Sequence, residues 1–450
     1  MSLPVDVVVE GGRVVSSQRI FEANIAIKGG KIVSVGKKVE NGERKIDGRG
    51  KYVLPGVIDA HAHIYDPLRA HIEDFKSGTA AAAAGGVTTV ILMPLESPLD
   101  SAESVQSLIS IGQRDSFVDF SIHSGMINER NVGRVREIAK LGVKSFKVFM
   151  CAPYGVSNEV LYEIMKTVLA AGGIVNVHAE DSEMVEEYTG RLRRIGRMDP
   201  AAHAESRPNI VEKKAITKAV DLAAKAKAHL HISHVSTKEG ARILRDSKKK
   251  GANVTGETCP HYLTFTKEDL RKYGPYLKVN PPLKSRMDRL SLWRSLREGW
   301  LDIVTSEHAP GLLEEKEVGW KDIWSAWSGV PSIEAMLPIL LSKGVNEKRL
   351  PMQTLCKVLC ENPAKIFGLY PTKGVVQVGS DADLVLVDLD AVRTVRSDEV
   401  HYKVKWTPYD GMKLQGFPVL TMVRGETVFH GNEVVGKPGH GRFTPMRSVA

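Results

Sequence analysis

Hydrophobic and polar positions alternate at period two at both ends of the chain and gather into longer blocks between them. Near the N-terminus, "VDVVVEGGRVV", "ANIAIKGGKIVSVG" and "YVLPG" alternate in this way and break at glycines. The same texture returns in "GVVQVGSDADLVLVDLD" and "VLTMVRGETVFHGNEVVG". Alternation bounded by turn residues predicts antiparallel strands with one buried face. Residues 1–54 and 368–435 are therefore expected to build one small β-sandwich from both termini, with 436–450 as a tail.

Between them, short apolar runs alternate with helical patterns. The runs are "GVIDAHAH", "VTTVILMP", "FVDFSIHSG", "VKSFKVFM", "GIVNVHAE", "AHLHISHVS", "NVTGETCPH" and "LDIVTSEHAP". Helical stretches such as "FKSGTAAAAAGG", "SNEVLYEIMKTVLAAGG", "KKAITKAVDLAAKAK" and "TKEGARILRDSKKKG" intervene, several of them closed by glycine. Eight strand–helix units predict an α/β fold, a (β/α)8 barrel of TIM type over residues 55–367, with its chemistry at the C-terminal ends of the strands.

Polar residues fall at those ends. The first strand finishes in His61 and His63, which share a face because i and i+2 do in a strand. Lys147 interrupts the fourth, His178 ends the fifth, His234 the sixth and Glu307 the eighth. Four imidazoles and a carboxylate meeting at one barrel mouth suit zinc or a similar divalent ion. A lysine in an apolar strand is costly to bury as a cation. Lys147 has two readings: a buried ion pair, or an amine carbamylated by CO2 that bridges two ions at the ~3.5–4 Å of two-metal sites.

Composition narrows the function classes. The 62 Lys and Arg against 53 Asp and Glu give a formal charge of +9, but the cations are spread along the chain. The densest run, "RDSKKKG", reads as an exposed helix end, so no nucleic-acid partner is expected. No apolar run reaches the ~18 residues of a membrane span, and no charged-then-apolar leader opens the sequence. Four cysteines in 450 residues do not suggest a disulfide framework, and Cys356 and Cys360 in "LCKVLC" read as helix core. A cytoplasmic location is expected.

With these motifs in view, the chain resembles the cyclic amidohydrolases: allantoinase, hydantoinase or dihydropyrimidinase, and dihydroorotase. The likeness rests on "PGVIDAHAH", "AAAAGGVTTV", "SFKVFM", "VHAE", "HISHVS", "ETCPHYLT", "NPPLKS", "SEHAP", "ENPAKIFGLYPTKGVVQVGSDADLVLVD", "PYDGMKLQGFPV" and "GKPGHGRF". It implies two divalent ions, Zn2+ by ligand type. His61 and His63 would hold one and His178 and His234 the other, with carbamylated Lys147 between them. Glu307 stands where the family usually has an aspartate that ligates a metal and acts as general base. The implied reaction is opening of a ring amide by a metal-bridging hydroxide. Asp59 would support the ligands from behind.

Substrate contacts are implied less directly. Tyr65 stands where dihydroorotase has a carboxylate-binding arginine, and Leu95 where it has an asparagine; both departures weigh against that substrate, though Arg69 is near enough in sequence to substitute. "MPLE", "ETCPHYLT" and "DIWSAWSGVPSIE" look most like allantoinase, while "SFKVFM" and "NPPLKS" look more like hydantoinase. Tyr154 is either a ring contact or a surface loop residue; Asn280 and Gly329 match segments whose backbone meets the ring; His308 adjoins Glu307. The expectation is a small-molecule cyclic amide as substrate, allantoinase-like first, in a homotetramer or dimer. The contrasting reading is a scaffold homologue that has lost catalysis, which the change at Glu307 would suit.

Overall fold

Eight parallel strands pair in chain order in the computed structural model, which describes residues 5–39 and 42–448. They are Val57–Ala62, Val87–Leu92, Asp119–Gly125, Ser145–Phe149, Ile174–His178, His229–Ile232, Val254–Thr258 and Ile303–Val304. Each of the eight predicted segments contains one. Most of their residues are buried on both faces, as in any parallel sheet wrapped by helices, which is why they read as apolar blocks rather than alternation. The last strand is only two residues long, and the chain beyond it closes the barrel. Glu307 N–H donates to the His61 carbonyl at 2.9 Å, and His63 N–H to the His308 carbonyl at 2.8 Å.

The helices form where the sequence placed them, including Phe75–Ala84, Asn158–Ala170, Asn209–Ala226 and Lys238–Lys249. Glycine follows three of their ends. Gly172 (φ 67°) and Gly251 (φ 83°) take the left-handed backbone that terminates a helix without a Cβ clash, as does Gly86 (φ 83°) after the first. Cys356 and Cys360 are buried free thiols on a helical segment, facing the Val15 and Pro55 carbonyls.

The terminal β-unit is one nine-stranded sheet drawn from both ends. Its N-terminal and C-terminal halves join where Tyr52–Pro55 pairs antiparallel with Leu384–Thr394. The pairing is not antiparallel throughout, as the alternation had suggested. Gly42–Asp47 and Tyr52–Pro55 run parallel to Val5–Val15, one after the other. A bulge at Gly11–Gly12 and a turn at Gly48–Lys51 let one broken strand follow the same neighbour. Alternation reports which face is buried and carries no information on direction.

Charge ties this sheet to the barrel. Lys373, 1% exposed, contacts Asp119 on the third barrel strand at 2.5 Å, Asp383 at 2.7 Å and Asp381 at 2.9 Å. The tail runs beside the same strand: Arg442 N–H donates to Asp119 at 2.9 Å and Thr444 N–H to the Phe120 carbonyl at 2.7 Å.

Candidate active site

His61, His63, Lys147, His178, His234 and Glu307 all line one cavity of about 230 Å3 at the C-terminal end of the barrel. Ligand atoms of His61, His63 and Glu307 lie within 4.8 Å of one another. Glu307 Oε2 is 2.8 Å from His61 Nε2, and its Oε1 is 3.7 Å from His63 Nε2. On the far side His178 Nδ1 faces His234 Nε2 at 3.0 Å.

The donor set fits divalent ions, and the ring nitrogens show why. His61 Nδ1 is taken by Glu257 and His63 Nδ1 by the Met93 carbonyl at 3.1 Å, which leaves both Nε2 atoms turned to Glu307. His178 Nε2 is taken by Glu180 at 2.9 Å, which leaves Nδ1 turned to His234. Holding one imidazole nitrogen with a carboxylate or carbonyl so that the other can ligate is the usual support of a metal-binding histidine. Among the described residues, buried His234 Nδ1 has no hydrogen-bond partner.

The electrostatics agree. Burial pushes the His61 imidazole down, but Glu307 and Glu257 overcome it and raise it to about 9, whereas burial keeps His63 and His234 below the ordinary imidazole value. Against burial, His61 and His63 hold the Glu307 carboxyl well below the ordinary range. Lys147 is 1% exposed, and burial lowers its amine to about 8. It donates to Ser233 Oγ at 2.5 Å, which donates on to Asn176 Oδ1 at 2.5 Å. A neutral amine is the form that reacts with CO2.

Strain marks two members of the set. His234 (φ 36°) and Glu307 (φ 50°) are non-glycine residues in the left-handed region, at a cost of about 1–3 kcal/mol each. Both follow a short strand within three residues, where the turned backbone aims the side chain across the mouth. With that backbone the longer Glu307 side chain still brings its carboxylate beside His61.

Leu95, Tyr154, Asn280 and Gly329 line the cavity as the sequence suggested. Tyr65 and His308 do not. The Tyr65 ring packs on Phe75 with centroids 5.7 Å apart, because an aromatic just beyond the strand is better buried against the helix than left at a wet mouth. His308 is buried away from the cavity: its Nε2 lies 3.3 Å from Glu73, and its Nδ1 accepts from Ser332 N–H at 3.1 Å. Asp59 lies behind the strand end, accepting from Ser306 N–H at 2.9 Å and His61 N–H at 3.3 Å, and burial raises it to about 6. Arg69 stacks 3.8 Å over the Trp327 ring and is held by Glu315 at 2.7 Å.

Several residues of the site escaped the sequence. Glu257 stands in "ETCPH" and Glu180 in "VHAE"; a carboxylate inside or just past an apolar strand was the available signal, the same one that exposed Lys147. Arg207, bonded to Glu180, and Trp327 and Ser328 come from loops with no periodicity to place them.

The same architecture recurs in known proteins. The family model described as "Amidohydrolase family" matches residues 52–428. The chain is 38% identical to an L-hydantoinase of Paenarthrobacter aurescens over 455 residues, covering 98% of each. It is also 38% identical to an allantoinase of Rubrobacter xylanophilus over 451 residues, again covering 98% of each. The solved structure of an L-hydantoinase (dihydropyrimidinase) from Arthrobacter aurescens superposes with a TM-score of 0.95 at 37% identity, over 98% of this chain and 99% of that one. A match over so much of the chain, in sequence and in fold, means that this protein belongs to the amidohydrolase family.

Proposed function

We propose that this chain is a metal-dependent cyclic amidohydrolase that opens a five-membered ureide ring of the hydantoin type, allantoin first. The observation that carries this reading is the convergence of His61, His63, Lys147, His178, His234 and Glu307 on one buried cavity floor. Two relatives named for allantoin and for hydantoin support the ring class, since allantoin is itself a hydantoin bearing a ureido group. The cavity volume lies below the ~300–1,000 Å3 of drug-sized ligands, as suits a small ring.

Two divalent ions, one at His61, His63 and Glu307 and one at His178 and His234, joined by carbamylated Lys147, would acidify a water and polarise a ring carbonyl when bound. The chain's own residues do the rest. Glu307, with its carboxyl held ionised, takes one proton from the attacking water and returns it to the ring nitrogen as the C–N bond breaks. Glu257, Glu180 and the Met93 carbonyl fix the imidazole orientations through the cycle.

Dihydroorotate fits less well, because its carboxylate needs a free cation. Among the described residues, Arg207 is the arginine that lines the cavity, and it is bonded to Glu180. Assay of the zinc-loaded protein against allantoin, hydantoin, dihydrouracil and dihydroorotate tests the proposal. The highest kcat/KM is expected for allantoin or hydantoin. Preference for dihydroorotate would overturn the ring class, and no turnover of any of them would overturn the enzyme reading.

A further inference from the structure

Lys316 lies outside the cavity and is fully buried, 0% exposed, on the short helix Leu313–Glu317. Its ammonium donates to three backbone carbonyls: Trp327 at 2.9 Å, Gly329 at 2.9 Å and Lys278 at 3.1 Å. Three acceptors use all three N–H donors of a protonated lysine. The Lys278 carbonyl also accepts from Gly329 N–H at 3.0 Å, so two distant chain segments are knotted at one point.

Those segments are a wall of the cavity: Val279 and Asn280 from one, Trp327, Ser328 and Gly329 from the other. In a planar trans peptide the N–H of the next residue points opposite to the carbonyl. With the Lys278 and Trp327 carbonyls turned back to Lys316, the N–H groups of Val279 and Ser328 point away from it. Neither donates to a protein acceptor among the described residues. Beside them the buried Asn280 Oδ1 also lacks a partner among the described residues. Two donors and an acceptor without protein partners complement a ring that alternates C=O and N–H.

We propose that Lys316 is a positioning residue for substrate recognition, acting from behind the wall to turn the Val279 and Ser328 peptides so that their N–H groups meet the ring carbonyls. This rests on the cyclic-ureide reading above. It accounts for a buried lysine that pairs with no carboxylate among the described residues: its role is to orient peptide dipoles, and a carboxylate would compete with the three carbonyls for its protons.

The test is Lys316→Met, which keeps the chain length and removes every donor, with Lys316→Gln as the variant that retains an N–H donor. Metal content and hydrogen exchange over 277–280 and 325–330 are measured with the hydantoin kinetics. Lys316→Met should keep the parent's metal content and the pH dependence of kcat while KM rises about tenfold, the weight of one or two aimed hydrogen bonds. Exchange should quicken in the two wall segments and not in the barrel strands, and Lys316→Gln should fall between. Parent KM together with parent exchange, or a fall in kcat that tracks lost metal, would overturn the assignment. If Lys316→Met does not fold, Lys316→Gln decides by the same readings. Should the parent open no cyclic amide, the functional reading fails, and hydrogen exchange still decides whether Lys316 holds the wall.

Discussion

At Glu307 one methylene separates this chain from the aspartate that the resemblance leads one to expect. The carboxylate nonetheless reaches 2.8 Å from His61 Nε2, on a left-handed backbone at the tip of the shortest barrel strand. It is therefore expected to serve as the base. Glu307→Gln, which keeps the shape and removes the proton acceptor, should lower kcat by about 10²–10⁴-fold, the usual weight of a general base; steady-state turnover at the parent rate would show that another group takes the proton. Lys147 makes a prediction in pH. Burial lowers its amine to about 8, so the neutral, CO2-reactive form is the major one above that pH and falls about tenfold per unit below it. At fixed dissolved CO2, reactivation of the metal-stripped protein should quicken about tenfold from pH 6 to 7 and level off beyond about 8. A rate flat across that range would contradict carbamylation. These residues were legible in the sequence because a histidine or lysine in an apolar strand is conspicuous. Lys316 and Arg207 were not, since a charged residue in a polar loop reads as surface until the fold buries it.

Elements test the packing argument. Gly112 on the helix Ala102–Asp115 sits against the Phe120 ring, and a Cβ there would lie 2.4 Å from its Cζ. Phe120 cannot retreat, because Phe75 and Phe443 hold it at centroid distances of 5.3 and 5.9 Å. Gly112→Ala should destabilise by about 1–3 kcal/mol through overpacking, in spite of alanine's better helix propensity. Gly190, on the helix Ser182–Arg194, has nothing within 4 Å of such a Cβ. There Gly190→Ala should stabilise by about 0.4–1 kcal/mol. Thermal unfolding of the pair reads both signs, and equal shifts would contradict the packing at Phe120. The barrel strands could be read from sequence because two-sided burial leaves uninterrupted apolar runs. The parallel pairs in the terminal sheet could not, since strand direction depends on where the chain turns, here at Gly11–Gly12 and Gly48–Lys51.

Across the whole molecule, Lys373 joins the barrel to the terminal sheet through three buried carboxylates. Lys373→Met leaves them without their shared cation and should cost about 3–5 kcal/mol at neutral pH. Against the upward push of burial, Lys373 and Lys31 hold Asp381 below its ordinary 3.8. That share of the stability is complete above pH 3.8 and is lost as pH falls through the lower folded value, so parent and variant should converge in acid. A constant gap in denaturant midpoint from pH 7 to pH 3 would place the effect elsewhere. The junction was invisible in the sequence because its partners, Asp119 and Lys373, are separated by more than half the chain and meet only once the barrel has closed. The tail joins there too, an edge that the sequence marked off as separate.

The central claim is that four histidines, Lys147 and Glu307 form one two-metal centre in the barrel mouth. Elemental analysis of the protein purified without chelator, beside Lys147→Ala prepared identically, measures this most directly. Two divalent ions per parent chain are predicted, with loss of metal in Lys147→Ala and partial recovery when a short carboxylic acid is supplied in place of the carbamate. A parent chain without stoichiometric metal, or a Lys147→Ala chain that retains both ions unaided, would contradict it.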